Sequence, residues 1–230
     1  MPRSMAEWES PGPHSGSWLI TGVAGFIGSH LLESLLNLDQ TVVGIDNLVA
    51  GSAANLEDVR SGVAPARWQR FRFVRGDIRS ASDLQGAMAG VDWVLHHAAL
   101  GSVPASLENP FETHAVNVTG FVEVLRAARA AGVRRVFNVG LGRATSLNRL
   151  AALLRSEVGK WHPRAAESRP CHRPPRRGEV LRSCADISRA VTHLGFRMVQ
   201  SLDEGLSETV AWQARHPGRK SGATRRESGA

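Results

Sequence analysis

Apolar residues recur along this chain in two rhythms. A short run, SWLITG (17–22), ends in glycine and reads as a buried strand. FIGSHLLESLLNL (26–38) follows, with Ile27, Leu31, Leu32, Leu35 and Leu36 on one helical face. QTVVGIDNL (40–48) reads as a second strand and FRFVRGDI (71–78) as a third. SDLQGAMAG (82–90) predicts a short helix with Ser82 as its N-cap. VDWVLHHAAL (91–100) is almost continuously apolar, as expected of a strand buried on both faces of a parallel sheet. A longer helix runs from about Phe111 to Ala131 and stops before Gly132, and RRVFNVG is a fifth strand.

The pattern then changes. SLNRLAALLRSEVG (146–159) is amphipathic, and HPRAAESRPCHRPPRRGE (162–179) is a loop rich in arginine and proline. ADISRAVTHLGF (185–196) predicts a helix capped by Asp186 and ended by Gly195, and LDEGLSETVAWQ (202–213) a last helix. Strands alternating with helices imply an α/β fold with right-handed crossovers. The expected architecture is a Rossmann-like, doubly wound parallel sheet over 17–137, truncated, with a small, mostly helical remnant over 138–213. Tails at 1–16 and 214–230 are expected to be disordered.

Composition narrows the classes. At 230 residues and 42% apolar, the chain can bury a real core. No apolar run reaches the roughly 18–20 residues needed to span a bilayer. The first 16 residues lack an apolar stretch of the secretory kind, so a cytoplasmic protein is expected. Cys171 and Cys184 are too few for a disulfide framework. Together with His162 and His172 they lack zinc-site spacing, and no metal is expected. The net charge of +7 is carried by arginine, since Lys160 and Lys220 are the only lysines. The basic tail holds Arg215, Arg219, Lys220, Arg225 and Arg226, without interleaved aromatics for base stacking. It reads as a solvated end rather than a nucleic-acid site.

The chemistry concentrates in TGVAGFIGSH. Gly22, Gly25 and Gly28 stand after a strand and at the mouth of a helix, the context in which such a triplet binds a pyrophosphate. The first glycine allows the turn, the second the approach of phosphate, the third close helix packing. Asp46 ends the second strand 18 residues beyond Gly28. A carboxylate there accepts from both ribose hydroxyls and repels a 2′-phosphate, which favours NAD over NADP. The residue after Asp46 is Asn47, not an arginine that would reverse this. The competing reading is that Asp46 only starts a turn. Asp77 either contacts the adenine edge or caps the next segment.

TGxxGFIGSH, GIDNL followed by Gly51 and Asn55, RGDI, HHAALGSVPAS and NVTGFVEVLRAAR together resemble the extended short-chain dehydrogenases, and within them the UDP-hexose 4-epimerases, the UDP-N-acetylglucosamine branch especially. The resemblance covers about residues 17–137. It implies that Gly22, Gly25, Phe26, Ile27 and Gly28 hold the pyrophosphate, and that Asp46 and Asn47 lie at the adenosine ribose. Asp77 and Ile78 would flank the adenine. His96, Ala98 and Ala99 would line the nicotinamide side, and Ser102, Val103 and Ser106 would approach the sugar. Asn117 would support the fourth strand from behind. NVGLGRATSLNRLAALL and PPRRGEVLRSCADISRAVTHLGF resemble the family's C-terminal part, with Arg176 at the position that grips the UDP diphosphate.

Between these two parts the resemblance implies a Ser/Thr-rich strand end and a helix carrying Tyr-x-x-x-Lys. In the family the tyrosine takes the proton of the sugar 4-OH while hydride passes to NAD, and the lysine lowers its pKa. The chain contains no tyrosine, and no lysine stands between the fifth strand and Lys160. An internal, frame-preserving deletion accounts for the join at 138–146. Loss of one general base costs about 10²–10⁴ in rate. His96 and His97 are the candidates to stand in, and strand-end packing is the competing reading of both. No catalytic residue is assigned. The Tyr-Lys helix would also cover the 111–131 helix, so Val118, Phe121, Val122 and Leu125 are expected to lose cover. Low stability, self-association or capture of a relative would follow.

Overall fold

The computed structural model describes residues 16–133, 142–174, 182, 184–194, 197 and 200–215. They fall into two compact units that divide between Val136 and Phe137.

The first unit is a parallel sheet of four strands: β1 (Ser17–Thr21), β2 (Thr41–Asp46), β3 (Phe71–Arg75) and β4 (Trp93–His96). Their order in space is β3-β2-β1-β4. The chain builds outward from β1 to β3, then returns to lay β4 on the other side of β1, with Thr21 opposite His96. Successive residues of β1 and β2 point to opposite faces. Leu19, Val43 and Ile45 join Ile78, Leu84, Met88, Val116 and Val124 in one buried cluster. Ile20 and Val42 join Val23, Leu32, Leu36, Leu56 and Val59 in the other. Both faces are therefore covered, which defines a doubly wound, Rossmann-like α/β sheet.

The first cluster lies under α4 (Ala81–Met88) and α7 (Phe121–Ala130), and the second under α1 (Phe26–Asn37) and α2 (Ala53–Gly62). The helix α2 and the short α3 (Pro65–Trp68) lie in a stretch whose apolar spacing gave no helical signal. Local chemistry forms them instead: the Ser52 hydroxyl accepts the Ala54 N–H, and Pro65 opens α3.

Several elements differ in detail from the sequence reading. The N-cap of α4 is Ser80, whose hydroxyl accepts the Asp83 N–H at 3.3 Å, and not Ser82. Capping geometry needs the acceptor three residues before the donor, which Ser80 supplies. β4 is short, and its four residues are half-buried rather than buried on both faces. The stretch beyond it forms α5 (Val103–Glu108) and α6 (Pro110–His114), and a π-helical turn (Ala115–Gly120) joins α6 to α7. The end of α7 follows the expected glycine rule: Gly132 has φ +76°, its N–H reaches Arg129 O, and Val133 N–H reaches Ala128 O. The fifth strand lies outside the described residues.

In the second unit the described residues form α8 (Leu147–Gly159), α9 (Pro163–Ala166), α10 (Ser188–Leu194) and α11 (Leu202–Arg215). Ser146 caps α8 through the Arg149 N–H, and Asp186 Oδ1 accepts the Ser188 N–H at 2.9 Å at the start of α10. Arg149 reaches Asp203 at 3.2 Å between α8 and α11.

Candidate functional site

In a doubly wound sheet the strand order reverses at one place, and the strand ends there open a crevice. Here the reversal lies between β1 and β4. The loop after β1 carries the glycine triplet and the loop after β4 carries His97, Ala98 and Ala99.

Gly22 has φ +71°, which only glycine adopts without strain. It also lies against the other loop: a β-carbon there would stand 2.7 Å from Ala98 N and 2.8 Å from His97 C. Its N–H donates to Ile45 O at 2.8 Å, and its own carbonyl accepts the Gly25 N–H at 3.0 Å. Gly25 is the N-cap of α1 and brings no side chain to it, and the first turn contains no carboxylate. The positive end of the helix dipole therefore faces the crevice without an acidic neighbour to neutralise it. Phe26 is half-buried against His30, and Ile27 is exposed.

Asp46 ends β2 and is buried. Its Oδ2 accepts the Ala24 N–H at 2.9 Å and its Oδ1 the Leu48 N–H at 2.8 Å. The carboxylate is thus turned toward the glycine loop and held there. Leu48 adopts a left-handed φ of +62° to make its bond, a conformation that costs a branched side chain of order 1–3 kcal/mol. Each oxygen keeps a further lone pair to accept a hydroxyl. Beside it, a β-carbon on Gly51 would stand 2.9 Å from Asp46 Oδ2 and from Ala24, so the flank of the carboxylate is bare backbone. An uncapped helix start, a fixed acceptor pair and a glycine-lined flank fit an adenine dinucleotide.

Further along the strand ends, Asn47 Nδ2 donates to Asp77 Oδ2 at 3.0 Å. Arg79 grips Asp77 at 2.7 Å and Glu112 of α6 at 2.8 Å. The Arg79 hydrogen bonds hold the Asp77 carboxyl well below the usual carboxylate range, against the opposing effect of burial. Ile78 is buried in the first core cluster.

On the other side of the crevice, Thr21 Oγ1 lies 2.8 Å from His96 Nδ1 and accepts the N–H groups of His97 and Ala98, each at 3.2 Å. The His96 ring lies 5.0 Å from that of Phe121. Burial, with a smaller contribution from His97, pushes the His96 pKa down. Ala98 is half-buried and Ala99 exposed. Asn117, in the π turn, accepts the Leu100 N–H at 2.7 Å and donates to Leu100 O at 2.9 Å, fixing the loop after β4 from behind.

Ser102 caps α5 through the Ala105 N–H, Val103 opens that helix, and Ser106 lies one turn further. Arg176 lies outside the described residues. Cys171 and Cys184 are free and exposed, and among the described residues no three metal-binding side chains cluster. No helix among the described residues is long and apolar enough to cross a membrane. Thr21 was not singled out from the sequence. Its signal was there: a fully buried hydroxyl residue ends an otherwise apolar strand.

A sheet wound on both sides, with a glycine turn and a strand-end carboxylate at its reversal point, defines a Rossmann-like dinucleotide-binding fold. The family model for the NAD dependent epimerase/dehydratase family matches residues 18–141, and the chain belongs to that family. It is 41% identical over 126 residues to a UDP-glucose 4-epimerase of Mycolicibacterium smegmatis, a match covering 54% of this chain and 38% of that protein. A UDP-glucose 4-epimerase of Pasteurella multocida is 38% identical over 117 residues, covering 50% and 33%. The chain thus spans little more than a third of the length of the curated relatives it matches. The crystal structure of UDP-glucose 4-epimerase from Thermotoga maritima, with UDP-glucose, has the same fold: TM-score 0.67 at 19% identity, covering 87% of this chain and 99% of that one.

Proposed function

We propose that this chain binds NAD at the β1/β4 crevice and descends from a UDP-hexose 4-epimerase whose proton-transfer centre it has lost. The carrying observation is the buried Asp46 carboxylate, fixed by the Ala24 and Leu48 N–H groups beside the bare flank at Gly51. Gly22, Gly25, Phe26, Ile27 and Gly28 would hold the pyrophosphate, and Asp46 and Asn47 the adenosine ribose. Asp77 and Ile78 would stand at the adenine, and His96, Ala98 and Ala99 at the nicotinamide. Bound NAD supplies a hydride acceptor. The residues on this chain bind and orient it and hold the loop after β4 in place.

The sugar side is weaker. Ser102, Val103, Ser106 and Arg176 would meet a UDP-sugar, UDP-glucose or UDP-N-acetylglucosamine. The chain has no tyrosine to take the 4-OH proton. We therefore read residues 17–137 as a cofactor module and 138–213 as what remains of the substrate lobe, in a protein of the cytoplasm, where both ligands are made. Calorimetric titration with NAD and then UDP-glucose tests this. NAD binding that disappears in Gly25→Val, without epimer formation, is the expected result. No NAD affinity in the unmodified chain overturns it.

A second reading is favoured by one observation: Phe111, Val118, Val122 and Leu125 are exposed along α6–α7. In it the chain is a non-catalytic partner that docks this stripe on a full-length epimerase or a second copy of itself. Co-elution of the mixed proteins, lost when Val122 carries a charge, is its test.

A further inference from the structure

The geometry points to Thr21 and His96 as a proton-reading pair that positions the loop after β4 against the glycine turn. A threonine oxygen has two lone pairs and one proton. The His97 and Ala98 N–H groups, both at 3.2 Å, occupy the two lone pairs of Thr21 Oγ1. The hydroxyl proton then has one remaining partner, His96 Nδ1 at 2.8 Å. Nδ1 must be an acceptor, so neutral His96 carries its proton on Nε2.

The same two amides belong to the loop that lies on Gly22, where Ala98 N and His97 C leave no room for a β-carbon. Thr21 thus joins the tautomer of one side chain to the shape of the glycine turn. Protonation of Nδ1 would place two donors face to face. Thr21 would have to turn its proton away and give up a lone pair that now holds His97 or Ala98. The loop would then come away from Gly22.

The surroundings favour the neutral ring. β1 faces it with Thr21 and α7 with Phe121, neither of which titrates, and the neighbouring titratable group is His97. Burial lowers the His96 pKa below its ordinary value. The arrangement is therefore complete above the ordinary imidazole range and is lost as pH falls through the lower folded value. Thr21 is a positioning residue in this scheme. The scheme deepens the NAD reading by saying what keeps the crevice in shape.

The experiment is a nitrogen-15 NMR titration of the full chain with labelled histidine, with and without NAD. An acceptor-type Nδ1 and a donor-type Nε2 for His96 are expected in the unmodified chain and in Thr21→Ser. In Thr21→Val, His96 should exchange between tautomers and titrate nearer its ordinary pKa, with faster amide exchange at His97 and Ala98. A proton on Nδ1 in the unmodified chain, or a His96 titration unmoved in folded Thr21→Val, overturns the pair. If Thr21→Val does not fold, the unmodified chain and Thr21→Ser decide: the His97 and Ala98 amides must shift with the same midpoint as His96, and independent midpoints overturn it. An intact pair without NAD binding sinks the cofactor reading alone. NAD binding with no tautomer preference sinks the pair alone.

Discussion

Gly28 lies so close to the carbonyl of Gly22 that a β-carbon on it would collide with that oxygen and stand 2.8 Å from the Val23 α-carbon. The first turn of α1 is thereby seated on the loop that precedes it. The helix start and the turn form one rigid anion seat, because neither can shift without the other.

Gly28→Ala should lower both stability and NAD affinity. Backbone atoms surround the site, so the strain cannot be relieved by a rotamer change. A loss of about 1–3 kcal/mol in urea unfolding is expected, in the range of overpacked sites. Wild-type stability in the variant would show that the helix moves freely.

Asp46→Asn should be felt twice. An amide turns one N–H toward either Ala24 or Leu48, so one buried donor loses its acceptor, at about 1–3 kcal/mol. It also removes the charge that disfavours a 2′-phosphate. Calorimetry should show weaker NAD binding and a smaller preference for NAD over NADP. An unchanged preference would count against Asp46 at the ribose.

Arg79→Gln should change the acid limb of stability. In the folded chain Asp77 stays ionised well below its ordinary range because Arg79 bonds it. The unfolded chain takes up that proton near pH 4. The unfolded state therefore binds more protons as pH falls below about 4, and stability declines. Arg79→Gln raises the folded pKa and flattens that decline. Urea midpoints at about pH 5, 4 and 3 read the slope. Equal slopes in both proteins would remove the ion pair from the account.

Val122→Lys with Leu125→Lys should reduce self-association. Val118, Val122 and Leu125 are 49%, 55% and 36% exposed, so they add little to the core. Stability should move by about 0.5 kcal/mol or less, while sedimentation shifts toward monomer. Unchanged sedimentation would mean that the stripe has no occupant.

The strands and the glycine turn were legible because period-two burial and the glycine spacing are written locally. Leu19 and Ile20 face opposite sides, as their neighbours in sequence require. The order of strands was not written there: β4 lies beside β1 through pairs such as Thr21 with His96, 75 residues apart. Nor was the role of Thr21, since its three partners come from β4 and the loop after it. The helices α2 and α3 escaped notice because capping and a proline, rather than an apolar stripe, form them. Ser82 was taken for Ser80 because adjacent serines look alike until the donor is placed. The second unit's helices were legible as amphipathic segments, but Arg176 and the fifth strand lie outside what the structure describes.

The π turn at Ala115–Gly120 holds one residue more than a regular helix would use. One residue is about 100° of helix rotation. A codon lost within this turn would restore ideal winding and yet swing everything after it out of phase, carrying Val124 and Ala128 out of the core and pulling Asn117 off Leu100. Mutational scanning by single-codon deletion should therefore find this stretch intolerant, despite its surplus residue, and the neighbouring surface loop at 49–52 more forgiving.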